Sequence, residues 1–86
     1  MTEPPSRKKL RAAELEAVIM QRLSKHPDCA GITHVYVKAT GLEPPQETWT
    51  HNMVSRRPTV PRTPTETTAM LAELRVLRKE FDLLPD

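Results

Sequence analysis

The sequence predicts an α+β fold, a single small domain in which an antiparallel two-stranded hairpin packs on two helices in the order αββα. Three observations carry this reading. Thr63-Pro64-Thr65-Glu66 has the pattern of a helix start, since a Thr side chain accepts from first-turn N–H groups and Pro has no N–H to leave unpaired. Ile32 to Ala39 alternates and is rich in β-branched residues, as a half-buried strand requires. His26-Pro27 ends whatever helix precedes it, because the residue before proline is pushed out of helical geometry.

Residues 1–8 read as a flexible N-terminal arm, 9–83 as the domain and 84–86 as a C-terminal tail. The first helix is expected from Lys9 to Lys25, with a stripe of Leu15, Val18, Ile19, Arg22 and Leu23 and with Leu10, Ala12 and Met20 at its margins. Glu14 and Glu16 lie in its earlier half and Arg22 and Lys25 in its last turns, as the helix dipole favours. Lys8, Lys9 and Arg11 oppose that dipole, so the first turn should fray. Thr48 to Ser55 reads as a second strand, joined to the first by a loop too long for a tight turn. Placing Val35, Val37, Ala39, Trp49 and Met53 toward the helices collects the most apolar area, with His51 beside Trp49 as the one polar residue. The opposite face then carries His34, Tyr36, Lys38, Thr48, Thr50 and Asn52, with Ile32 and Val54 at its ends. Arg56 to Pro64 reads as an extended, proline-rich connector. The second helix is expected from Pro64 to Phe81, its stripe formed by Met70, Leu74, Leu77 and Phe81.

Composition excludes more than it assigns. Eighty-six residues at 37% hydrophobic and 28% charged allow one modest core. The nine prolines fall between the periodic segments, which punctuates a folded chain. A net charge of +2 falls well short of a dedicated polyanion binder. One cysteine rules out an internal disulfide and suits a reducing compartment. The first five residues lack the apolar run of a secretory signal, and no segment approaches the length of a membrane span. A soluble cytoplasmic protein is the expectation.

Three pieces of the chain carry a resemblance. Leu15-Glu16-Ala17-Val18-Ile19-Met20 leads into Lys25-His26-Pro27-Asp28-Cys29-Ala30-Gly31-Ile32, followed by the Trp49 strand and a terminal Glu80-Phe81-Asp82-Leu83. Together they are similar to small uncharacterised alphaproteobacterial proteins of helix-strand-strand-helix order. The resemblance spans residues 10–83 and implies the order of elements, with no assigned activity. The arginine-rich connector at 56–62 is not a feature of that group.

Candidate chemistry is sparse. His26, Cys29, His34 and His51 are metal-ligating types, but only one half of a zinc-site spacing pattern is present, so no metal is expected. Cys29 with a histidine would make a nucleophile and base, yet no orienting group accompanies them. The two glycines, Gly31 and Gly41, stand apart and form no phosphate loop. Glu14 and Glu16 point to different sides of a helix and cannot act as an acid–base pair. No catalytic residue, cofactor or enzymatic activity is therefore expected. Two basic clusters remain, Arg7, Lys8, Lys9 and Arg11 in the arm and Arg56, Arg57 and Arg62 after the hairpin. The expected role is a non-enzymatic protein-interaction module, with Arg56, Arg57, Arg62, Tyr36 and Lys38 as the partner-binding residues. Guanidinium groups held apart on a stiff segment suit an acidic partner, unless they pair instead with Glu14, Glu16, Glu66 or Glu73 on the helices. The alternative is an accessory nucleic-acid-binding protein using the basic arm and connector. Unpaired hairpin edges would also allow a homodimer, while edges covered by the connector and arm would leave a monomer.

Overall fold

The structure, a computed structural model, describes residues 7–43 and 46–84. Residues 1–6 of the expected arm, Pro44 and Pro45 of the hairpin loop, and residues 85–86 of the tail lie outside the described residues. The chain runs β1 (Lys8–Leu10), α1 (Ala12–Leu23), a short 3-10 turn (Pro27–Cys29), β2 (Ile32–Ala39), β3 (Trp49–Arg56), α2 (Pro64–Glu80) and β4 (Phe81–Leu83). The fold is α+β, with the expected antiparallel hairpin and two helices. A second two-stranded sheet, β1 with β4 in parallel, joins the two ends of the domain.

Helix α2 starts where the sequence places it. Thr63 is extended, and its Oγ1 accepts from the Glu66 N–H at 3.2 Å. Glu66 itself turns inward, only 4% exposed, and forms an ion pair with Arg56. Met70, Leu74 and Leu77 form the buried stripe, and the helix ends at Glu80 because Phe81 is already extended.

Helix α1 begins later than the sequence suggests. Lys8–Leu10 is extended and pairs with Phe81–Leu83, so Lys9 and Leu10 are strand residues and not a frayed helical turn. Two links favour this over helix. The Leu84 N–H donates to the Leu10 carbonyl at 2.8 Å, and Leu10 is buried in the core. Arg7 is fixed just ahead of the strand. Its Nη1 and Nη2 donate to the carbonyls of Arg78 and Gln46 at 3.0 and 2.9 Å, and its Nε lies 3.2 Å from Asp82 Oδ1. Helix α1 then opens with Glu14 Oε1 accepting from the Arg11 N–H at 3.2 Å, and it buries Leu15, Ile19 and Leu23.

Two bulges decide which hairpin residues face the helices. One extra residue, Thr33, sits in β2 between the pairs Ile32–Arg56 and His34–Ser55. Another, Asn52, sits in β3 between Tyr36–Met53 and Val37–His51. An extra residue on one strand reverses the inward–outward alternation beyond it. Ile32 therefore enters the core, and Val54 packs on it beside Val35. Met53, expected inside, is turned to solvent opposite Tyr36 at 59% exposure. Trp49 and Val35 are fully buried as expected, and Val37 is packed against the core. Ala39 is exposed despite pairing with Trp49, because it lies past the reach of the helices. Thr48, expected on the outer face, is buried: its Oγ1 donates to Asp82 Oδ1 at 3.1 Å and accepts from the Leu83 N–H at 3.1 Å.

Candidate interaction surface

The surface of interest is the side of β3 that faces α2. It exists because β3 is fastened at its two ends and left open between them. At one end, Trp49 Nε1 donates to the Phe81 carbonyl at 3.1 Å. The Arg78 guanidinium lies over its ring, 5.6 Å from the centroid. Arg78 Nη2 also donates to Thr50 Oγ1 at 3.2 Å and reaches His51 Nδ1 at 3.4 Å. At the other end, Arg56 pairs with the buried Glu66 and donates to the Val60 carbonyl at 3.2 Å. That end needs glycine at position 31. A Cβ there would stand 2.9 Å from Val60 Cγ1 and 3.2 Å from Glu66 Oε2, while the Gly31 carbonyl accepts from the Arg57 N–H at 2.8 Å.

Between these anchors, Asn52 and Met53 are exposed. A groove of about 240 Å³ separates this part of β3 from the first half of α2, and Arg62, Glu66, Thr67 and Met70 form its other wall. Among the described residues, no hydrogen bond from outside the hairpin reaches the N–H or C=O groups of Trp49–Arg56. The opposite strand is different. Glu16 of α1 holds His34 Nε2 at 2.9 Å through Oε1, and its Oε2 accepts from the Val37 N–H at 3.0 Å.

The five residues expected to bind a partner are not brought together. Arg56 is turned inward to Glu66 and is spent on holding the connector; burial of that carboxylate requires a cation beside it. Arg57 and Arg62 are exposed, with no ion-pair partner among the described residues. Tyr36 is 40% exposed and stacks at a tilt on His34, with ring centroids 4.4 Å apart. Lys38 is exposed and pairs across the hairpin with Thr50, six residues along from the Ile32–Arg56 pair. At roughly 3.3 Å per residue this separates Lys38 from the connector by about 20 Å, so the basic groups do not form one patch.

The metal-ligating types are dispersed as well. His26 Nε2 bonds Glu73 Oε1 at 2.9 Å, His34 bonds Glu16, and His51 lies by Arg78. Among the described residues no three His, Cys, Asp or Glu side chains are grouped to hold a metal ion. Cys29 is 3% exposed, and burial, with Asp28 and Glu73 adding to it, pushes its thiol up from the ordinary value. Such a thiol stays protonated at neutral pH and is a poor nucleophile. His51 is shifted down, first by burial and then by the charges of Arg78 and Lys38.

Of the residues that fix the two strands, the sequence offers Glu66 as one possible partner of the connector arginines, and the structure pairs it with Arg56 alone; the contacts made by Arg7, Glu16, Thr48 and Asp82 are not marked in it. Glu66 carried a visible signal as the third residue after a capping Thr, but a cap predicts a solvent-facing carboxylate and not a buried pair. The others join segments far apart in the chain, and nothing local marks them. No protein-family profile, curated protein or solved structure matches this chain. Among the described residues, no helix is long and apolar enough to cross a membrane.

Proposed function

We propose that this chain is a non-enzymatic cytoplasmic module that binds another protein, taking an extended acidic segment of it along the open edge of β3. The observation that carries the reading is the unpartnered main chain of β3 beside a groove whose free cation is Arg62. An exposed strand edge offers main-chain donors and acceptors to an incoming strand, and the flanking pockets select its side chains. Arg62 and the neighbouring Arg57 supply forked donors that suit carboxylates. Tyr36 and Met53, paired across the outer face, give the incoming strand an apolar neighbour on that side. The Asn52 bulge divides the open edge, so an incoming strand is expected to pair on one side of it.

The test is binding of a short labelled peptide alternating valine with glutamate. Saturable binding is expected, with amide shifts in His51 to Val54 and loss of binding in Arg57→Glu with Arg62→Glu. A lysine-for-glutamate peptide should not bind. If single-stranded DNA binds instead, and does so with steep salt dependence, the module recognises nucleic acid and the protein reading fails.

A further inference from the structure

A second concave site lies at the other end of the hairpin, away from the β3 groove. It is a cavity of about 620 Å³ between the β1–β4 sheet and the end of β2, within the range of small-molecule pockets. Ala39 of β2 and Ala12 at the start of α1 both line the cavity, and their small side chains leave its space open. Val37, Leu42 and Leu83 add apolar wall. Leu42 is 52% exposed at the rim, where a large apolar side chain gains nothing from water.

The charged groups are arranged asymmetrically. Asp82 lines the cavity, but its Oδ1 is already taken by Arg7 at 3.2 Å and by Thr48 at 3.1 Å, so its charge is offset within the protein. Lys9 and Lys38 approach the cavity from its two walls, β1 and β2, and neither has an ion-pair partner among the described residues. Glu43 is the one other acid at the rim. We propose that this cavity binds a medium-chain aliphatic carboxylic acid, its chain against Val37, Ala39, Leu42 and Leu83 and its carboxylate at the rim, within reach of the long, exposed side chains of Lys9 and Lys38. The proposal is independent of the β3 edge, because the two sites share no lining residue.

The experiment is calorimetric titration of the full chain with hexanoate, octanoate and decanoate below their micellar concentrations, with amide shifts mapped in parallel. Each added methylene is expected to tighten binding roughly three- to fourfold. Shifts should concentrate at Lys38, Ala39, Leu42 and Leu83. Decanol should bind more weakly than decanoate, and Lys9→Gln with Lys38→Gln should remove that difference. Ala39→Trp, a substitution at an exposed strand position, should fill the cavity and cost at least tenfold in affinity. The proposal is overturned by the absence of binding at millimolar acid, by affinity independent of chain length, or by binding that Ala39→Trp leaves intact. Association with phosphatidylglycerol vesicles that Ala39→Trp does not weaken would equally overturn it, since the acyl chain would then be met at a surface.

Discussion

The two strands of the hairpin are made of similar residues but are held in opposite ways. Strand β2 is supported along its length: Ile32 and Val35 are buried, α1 packs on it, and Glu16 takes both the His34 side chain and the Val37 N–H. Strand β3 is supported at its ends, by Trp49 on one side and the Arg56–Glu66 pair on the other, with the exposed Asn52 and Met53 between. On the β2 edge a carboxylate from α1 already occupies the main-chain donor of Val37, at the middle of the strand. A strand held only at its ends keeps its geometry and leaves its edge open, which suits recognition by strand addition. This difference is why the proposed partner is placed on β3 and not on β2.

The largest test of the comparison is removal of an end anchor. Trp49→Ala deletes a fully buried ring together with its hydrogen bond to Phe81 and its stacking with Arg78, and should cost about 3–5 kcal/mol. That is comparable with the whole stability of so small a domain, so chemical denaturation should find the variant largely unfolded. A shift of the denaturation midpoint worth less than about 1 kcal/mol would mean that β3 does not depend on this end.

Glu16→Ala tests the support of β2. It leaves the Val37 N–H and the His34 side chain without their partner, and each half-buried polar group left unpaired costs roughly 1–3 kcal/mol. The variant should lose stability of that order. Because it also frees a main-chain donor of β2, its apparent mass by sedimentation should become concentration-dependent. A stable and strictly monomeric Glu16→Ala would remove the asymmetry between the two strands.

Stability against pH gives a smaller effect that also reads the β3 side. His51 gains protons less readily in the fold than in the unfolded chain, because burial and then Arg78 and Lys38 disfavour its cation. The unfolded state therefore binds the proton more tightly, and the contribution of neutral His51 is complete above the ordinary imidazole value of about 6.5. It is lost as pH falls from there toward the lower folded value. Denaturation curves between pH 7 and 5 should show a decline that His51→Asn makes shallower. An NMR titration placing His51 at or above the ordinary value would contradict the packing of Arg78 against it.

How much of this was legible in the sequence depends on how local each cause is. The start of α2 was readable because a capping Thr, a Pro and a stripe lie within a few residues, and β2 was readable from its alternation. The strand faces were only half readable. Alternation alone puts Trp49 and Val35 on the core face, where they lie, but Asn52 carries no mark that distinguishes a bulged residue from a paired one, and so alternation also puts Met53 inside. The β1–β4 pair was not readable at all, since a three-residue strand owes its conformation to a partner more than seventy residues away. The same holds for the site: Arg56, Arg57 and Arg62 look equivalent in sequence, and only the buried Glu66 separates the first from the other two.

The smallest expected change in stability is the sharpest test of the β3 edge. Met53→Lys alters a side chain that is 59% exposed on the outer face and touches no part of the core cluster. Surface substitutions of this kind usually stay within about 0.5 kcal/mol, so the denaturation midpoint should barely move. Binding should respond strongly, however. A charge at the centre of an edge strand is a common means of keeping other strands away, because the incoming chain would have to desolvate it. The valine–glutamate peptide could in principle pair its carboxylate with the new ammonium, so the control is a valine–threonine peptide of the same length. Loss of binding to the uncharged peptide at unchanged stability would locate the third strand beside Met53. Binding that survives Met53→Lys but is lost with Arg57→Glu and Arg62→Glu would mean that the acidic segment lies on the connector and never joins the sheet.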